Sequence, residues 1–416
     1  MLKDEIAVIG AGLAGETVGI EFQRRNYLTY LINGSVQDNK SLPDAKNLLV
    51  LEGYDGLSGE RSLAYEALKR NRRILKKIAE IDKKIIICIA SGGGSTGSGT
   101  LPYISEIAAS NPDKIVVAVL LMPRPDEAIQ KRLNAYNAAK ELMEVEGLGA
   151  IIFVDNSAYD DLNKINMTLV NMLDAFFTDS SYSSGSNFDD SEKMKMLKDN
   201  GAFVLAMLSD KNAEGKHVTT QDMLSALTAK NIFLPINDDG VVNNIGIINQ
   251  GKNKIDEHEI VKAIGTPENI FTGANGNVNI ACASGMSYPI EYIQKLGKKG
   301  TNERRYTMKK NTNPVKLRDA ISNKKLSVTS VKVFIDDIAR DYPPDQFTED
   351  LEFLCESGYM ANMIDFKFEI TSEGVAVDIG RMCPCDSYIV IKMSIADSED
   401  HQKIREMLVD EPEESD

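Results

Sequence analysis

Residues Lys84–Thr100 read KIIICIASGGGSTGSGT. An uninterrupted apolar run of this length fits a strand buried on both faces. Five glycines follow within eight residues: Gly92, Gly93, Gly94, Gly97 and Gly99. Without Cβ atoms, consecutive backbone N–H groups there can curl into an anion-binding nest. Ser95, Thr96 and Ser98 add hydroxyl donors, and helix-like sequence resumes at Leu101. That order places a helix N-terminus against the same anion. No lysine lies inside the loop, so it is not the GxxxxGK[ST] phosphate loop. A flexible linker is the bland alternative. It fits poorly, because linkers do not sit between a buried strand and a helix of a compact sheet.

Working outward, Glu5–Ile9 is a second buried-strand run, followed by Gly10-Ala11-Gly12-Leu13-Ala14-Gly15 and a helix expected over Glu16–Arg25. Alone, GxGxxG suggests a dinucleotide fold, but a nicotinamide site needs an acid ending the next strand to hold the ribose. That strand, Leu28–Ile32, ends instead in Asn33, which stands as a candidate ligand-binding residue in the acid's place. Ser62–Ile81 is expected as one helix with a basic, solvated face at Lys69, Arg70, Arg72, Arg73, Lys76 and Lys77. Ile115–Met122 and Ala150–Val154 are further strand runs, and Asp160–Thr178 reads as one long helix. Strands alternating with helices imply an α/β fold. A mostly parallel sheet covered on both faces and flanked by helices is expected, with ligands at the strands' carboxyl ends.

Beyond the long helix, Ser180–Asn187 reads as a polar loop and Asp190–Lys198 as a helix. Strands at Ala202–Leu208, Asn244–Ile248 and Val278–Ala283 and helices at Gln221–Ala229, Glu257–Ile264 and Pro289–Leu296 suggest a second, smaller α/β domain. The charged stretch after Gly297 reads as a linker to a C-terminal α+β extension. Its helices are expected at Val331–Arg340 and Phe347–Glu356, and its strands at Asp365–Ile370, Val375–Ile379 and Tyr388–Met393. The expected division is a nucleotide-binding domain over 1–157, a connecting helix over 158–179, a second domain over 180–300, an extension over 301–409 and an acidic tail over 410–416. No internal repeat is visible.

The 416 residues carry 47 Lys plus Arg against 62 Asp plus Glu, a formal charge of −15. A general polyanion binder needs the opposite balance, so direct nucleic-acid binding is not expected. The longest apolar runs fall well short of the ~20 residues that span a bilayer. The opening MLKDEIAVIG enters a strand at once, which predicts no signal peptide. The five cysteines are scattered. Cys383-Pro-Cys385 lacks a second pair or a nearby histidine, so structural thiols and no protein-built metal centre are expected. The three histidines, far apart in sequence, offer no triad. A cytoplasmic, acidic, globular protein is what these features describe.

The two glycine loops together resemble the tubulin/FtsZ superfamily of GTPases, whose phosphate loop carries GGGTG[ST]G. Ser95 replaces the last glycine before Thr96. Four further loops carry the resemblance. Gly56-Leu57-Ser58-Gly59-Glu-Arg61 resembles the loop that approaches the terminal phosphate. Pro123-Arg-Pro-Asp-Glu127 resembles the ribose-side loop, with Tyr136-Asn137-Ala138 downstream. Asn156, after the strand ending in Val154, resembles the residue on the guanine edge. On the long helix, Asn171 resembles the asparagine reading guanine from the other side, with Met167 one turn earlier where an aromatic often stacks.

Asn187-Phe-Asp189-Asp190-Ser-Glu192 resembles the family's acidic loop, which the resemblance presents to the nucleotide of the next subunit. Asp189 and Glu192 are the expected pair that orients water, with Asp190 in an alternative register. A helix N-cap is the competing reading of the same residues. Residues 1–290 carry the resemblance, which is greatest to the divergent TubZ-type tubulins of plasmids and phages. It implies GTP and GDP as ligands, Mg²⁺, and hydrolysis completed by an adjacent copy in a head-to-tail filament. It also implies a role in plasmid or phage DNA segregation, through a DNA-binding adaptor if DNA is contacted. An FtsZ-like division protein and a non-polymerising GTP-binding regulator are the alternatives.

Overall fold

The computed structural model describes residues 2–297, except 55, 58, 180–187, 212–214, 238 and 252, together with five strands between 328 and 395. The chain divides into two compact units, Met1–Glu303 and Arg304–Asp416.

In the first unit, β1 (Ile6–Ala11), α1 (Gly12–Arg24), β2 (Leu28–Asn33), α2 (Val36–Ser41) and β3 (Leu48–Val50) come first. After α3 (Arg61–Arg70) and α4 (Arg72–Ala79) come β4 (Ile85–Ser91), α5 (Ser95–Ala109), β5 (Ile115–Met122), α6 (Ile129–Met143) and β6 (Ala150–Asp155). The long α7 (Leu162–Thr178) leads to α8 (Asp190–Lys198), β7 (Gly201–Leu208) and α9 (Thr220–Thr228). Then follow β8 (Asn244–Gln250), α10 (Glu257–Ile264), β9 (Asn269–Gly276) and β10 (Asn279–Met286).

One ten-stranded sheet runs β3-β2-β1-β4-β5-β6-β7-β10-β8-β9, parallel from β3 through β7. β10 is antiparallel to both of its neighbours. The order reverses between β1 and β4, the crevice where open α/β sheets bind ligands, and both glycine loops leave the sheet there. In β1, β4, β5 and β6, alternation divides the strand residues between two cores. Ile6 and Val8 pack with α1, α7 and α8, whereas Ala7 and Ile9 pack with α3, α4, α5 and α6.

Several expected elements fall elsewhere. The helix expected over Ser62–Ile81 is two, broken at Asn71. The Asn71 side chain accepts from Glu52 N and donates to Ala67 O, competing with the helical ladder. α1 and α5 begin inside the glycine loops, at Gly12 and Ser95, rather than at Glu16 and Leu101. β9 was not expected as a full strand. Its NIFTGANG sequence mixes strand formers with Gly and Asn, and its pairing with β8 shifts register at Asn249/Gln250.

In the second unit, β11 (Val328–Ile335), β12 (Ile338–Tyr342), β13 (Phe366–Thr371), β14 (Gly374–Ile379) and β15 (Ile389–Ile395) form an antiparallel sheet in the order β12-β11-β15-β14-β13. The helix expected at Val331–Arg340 is instead the β11–β12 hairpin. The run VTSVKVFI is rich in β-branched residues that alternate with period two, which favours the pleated strand. The helix expected at Phe347–Glu356 and the acidic tail lie outside the described residues.

Candidate functional site

The two glycine loops meet backbone to backbone. Gly12 has φ +67°, and a Cβ there would sit 3.0 Å from Gly97 N. A Cβ on Gly97 would sit 3.0 Å from Ala11 O. Two helix N-termini therefore converge at the switch point. Neither Ala11 before α1 nor Gly94 before α5 supplies a side-chain cap, and neither first turn holds an acid. Uncapped N–H groups and two positive dipole ends make this a place for an anion. Gly92, Gly93, Gly94, Ser95, Thr96, Gly10 and Gly15 all fall in this crevice's two loops. The Ser98 hydroxyl does not serve as a donor there: the residue is buried and donates back to Gly94 O.

Loops from three other strands are tied to this centre. Asn134 of α6 donates to Gly59 O (3.0 Å) and to Gly93 O (3.4 Å), joining the 56–59 loop to the glycine nest. Gly56 and Gly59 both have left-handed φ, and Leu57 is buried. Ser58 lies outside the described residues. Pro102 has no N–H to give Ser98 O, its i−4 carbonyl. That carbonyl instead accepts from Arg61 (2.8 Å), whose guanidinium also forks onto Glu141 at 2.6 and 2.7 Å. Past β5, the Glu127 carboxylate accepts from Lys131 Nζ (2.7 Å) and Arg124 N (3.0 Å). Burial pushes against its ionisation, but these partners hold Glu127 below the usual carboxylate range. The Lys131 stem packs over Gly93, its Cβ 3.3 Å from where a glycine Cβ would lie, while its ammonium stays paired with Glu127. Arg124, between Pro123 and Pro125, donates to Asn156 O, Tyr159 O and Asp160 O, stapling the turn before α7 to the same corner.

Asn134 and Lys131 were not singled out from sequence, and Arg61 and Arg124 stood inside the quoted loops with no role of their own. Only the Pro-Arg-Pro setting of Arg124 and the Glu127–Lys131 spacing of four on a helix were available as signals.

Three expected residues stand differently. Asn33 is buried, and its amide donates to Glu16 Oε2 (2.7 Å) while its carbonyl accepts from Gly34 N (2.9 Å). It builds the end of β2 rather than facing a ligand. Asn171 accepts from Arg25 Nη2 (2.5 Å), beside the Asp174 carboxylate that also takes the Tyr27 hydroxyl (2.6 Å). Arg25 caps the far end of α1, about 20 Å of helix from Gly12, so Asn171 is removed from the glycine loops. Asn163, Met167 and Asn171 form one stripe at spacings of four. The residue of that stripe nearest the turn stapled by Arg124 is Asn163, two turns earlier, in the first turn of α7. Met167 lies midway and is exposed.

The acidic residues lie at the other end of α7. Asp189 is the N-cap of α8, accepting from Ser191 N (2.8 Å) and Glu192 N (3.1 Å), while Glu192 reaches back to Asp189 N (3.0 Å). The capping reading thus holds in this chain, with Asp190 exposed beside it. Phe188, just before the cap, packs edge-on against Phe176 near the C-terminal end of α7. The 17 residues of α7 span roughly 25 Å. The acids are separated from the cradle by about that length. Among the described residues no group of three or more His, Cys, Asp or Glu could hold a metal, and no helix is long and apolar enough to cross a membrane.

Residues 5–164 match the model of the GTPase domain of the Tubulin/FtsZ family. The chain is 24% identical over 339 residues to the tubulin-like protein TubZ of Clostridium botulinum C phage, covering 77% of this chain and 91% of that protein. Its fold is that of Clostridium botulinum phage c-st TubZ in a form with a truncated C-terminal tail. That match has a TM-score of 0.65 and 22% identity over 74% of this chain and 100% of that one. CetZ2 from Haloferax volcanii, solved as a GTPγS-bound protofilament, matches with a TM-score of 0.58 and 17% identity over 72% and 99% of the two chains.

Proposed function

We propose that the Tubulin/FtsZ-family GTPase domain of this chain, residues 5–164, binds GTP at the convergence of α1 and α5, and that a second copy completes its hydrolysis. The observation that carries this reading is the separation along α7. The cradle for phosphates lies at one end, and the Asp189–Glu192 pair lies about 25 Å away at the other. No carboxylate of that pair reaches the cradle of its own chain. Stacking copies head to tail brings one copy's acids to the next copy's phosphates. Such a heterologous contact generates filaments when its rotation does not close.

In this reading the N–H groups of Gly12, Leu13 and Gly94–Gly97 stabilise the phosphate oxygens. The 56–59 loop, tied through Asn134 and Arg61, closes over the terminal phosphate. Asn156 and Asn163 bracket the base with amides that both donate and accept. Asp189 and Glu192 of the neighbour orient the attacking water. Among the described residues the donor set offers no protein cage for a divalent ion, so Mg²⁺ would be held largely by phosphate oxygens and water, where it would supply charge neutralisation. Self-association is supported by the likeness to CetZ2, solved as a protofilament. A role in moving plasmid or phage DNA, with an adaptor protein making any DNA contact, rests on the likeness to a phage TubZ.

Turnover per subunit, measured with radiolabelled GTP across a hundredfold range of protein concentration, tests the reading. It is expected to rise from near zero to a plateau as filaments appear by electron microscopy. A flat, non-zero turnover per subunit would refute it.

A further inference from the structure

Beneath the first turn of α8 lies a buried lysine. Lys193 is 1% exposed, and its ammonium donates to Asp179 O (2.5 Å), the carbonyl that caps the C-terminal end of α7. Two aromatic rings flank it: Phe176 of α7 at 5.7 Å and Phe188, the residue before the Asp189 cap, at 5.8 Å. The Asp179 carboxylate in turn takes Asn277 N (2.9 Å) and Val278 N (3.3 Å), which anchors this corner to the turn between β9 and β10. Phe188 is fixed from the far side by stacking on Phe271 (5.9 Å). It fits there because Gly246 has no Cβ, which would lie 2.5 Å from its ring.

A buried charge is costly, and an apolar residue of similar volume is often as stable or more so. Core packing alone therefore gives no reason for an ammonium here. The groups around it suggest another. Asp179 faces it from the end of α7, and Asp189 and Asp190 from the start of α8. Burial lowers the Lys193 pKa, and those three carboxylates act to restore its charge.

We propose that Lys193 is a positioning residue: its cation locks the C-terminal end of α7 to the first turn of α8 and fixes the Asp189–Glu192 pair for the neighbouring copy's nucleotide. This rests on the shared-site reading above. The cation also helps hold Asp189 ionised. That carboxyl is kept low first by the Ser191 hydroxyl and the Glu192 N–H, with the Lys193 charge contributing.

The test uses the full chain with Lys193→Met and, to keep a donor without a charge, Lys193→Gln. Both are expected to bind labelled GTP at the wild-type affinity. Both are expected to lose on the order of tenfold in plateau turnover. The acid limb of their pH–rate profile is expected to move to higher pH, which a purely structural loss would not do. Thermal melts monitor folding, and Lys193→Gln decides the matter if Lys193→Met does not fold. Wild-type plateau turnover with an unmoved acid limb, in a folded variant, would overturn the role of Lys193 while leaving the shared site intact. A wild-type chain whose turnover ignores concentration would remove both.

Discussion

Gly12 shows how one missing carbon governs the site. Its φ of +67° costs any L-residue about 1–2 kcal/mol. A Cβ there would also press on Gly97 N, where the two loops touch. Gly12→Ala is therefore expected to lower the melting temperature modestly and to weaken GTP binding tenfold or more, on the order of 1.4 kcal/mol, in a filter-binding or fluorescence titration. Glu16, one turn further on, carries a different signal. It is fully buried, and its Oε1 has no hydrogen-bond partner among the described residues. Burial raises its pKa to about 7, opposed by the Asn33 bond and aided by the Asp38 charge. Between the ordinary value of 4.5 and about 7 the folded chain keeps a proton that the unfolded chain releases. Stability must then fall as pH rises through that window and level off above it. Urea unfolding at a series of pH values is expected to show this slope, and Glu16→Gln to flatten it.

At the scale of elements, α8 begins with a cap that doubles as the proposed acidic centre, and the two roles can be separated. Asn caps about as well as Asp, whereas Ala forfeits about 1 kcal/mol. Asp189→Asn should therefore melt like the wild type yet lose turnover, and Asp189→Ala should lose both. Equal turnover in Asp189→Asn and wild type would leave the cap as the residue's only task. The break between α3 and α4 belongs to the same scale. Asn71→Ala removes three side-chain hydrogen bonds to Glu52 and Ala67, and about 1–2 kcal/mol of stability should go with them. Circular dichroism melts read that loss, and GTP affinity should hardly change. The β11–β12 hairpin teaches the converse. Val331–Arg340 has enough apolar residues to look helical, but its alternation has period two, and the partner strand β15 that rewards that period lies more than fifty residues away.

For the whole molecule, a site divided between copies makes a prediction no single variant can. Gly12→Ala keeps its acids and loses its cradle, while Asp189→Asn keeps its cradle and loses an acid. Each alone should be nearly inactive. Mixed, they form contacts in which intact acids meet intact cradles, and turnover should reappear in a phosphate-release assay. A mixture as inactive as its parts would place both halves of the chemistry in one chain.

The central strands β1, β2, β4, β5 and β6 and the glycine loops were legible because each is local. Apolar runs, helical spacing and glycine clusters carry their physics within ten or twenty residues. The cap at the start of α8 was legible too, as the competing reading of Asp189 and Glu192, since an N-cap acid with Glu three residues later carries its physics within one helix turn. What only the tertiary structure decided depends on contacts between distant segments. Asn171 and Asn163 look alike on paper. The meeting of α1 with α7 places Arg25 against Asn171 and leaves Asn163 two turns away, in the first turn of α7. Arg61 gained its role from a proline 41 residues later that frees a carbonyl, Asn134 from two loops far apart in sequence, and Lys193 from a corner where α7, α8 and the β9–β10 turn come together. A hydrogen bond is made at about 3 Å, and sequence reports spacing along the chain, not across it.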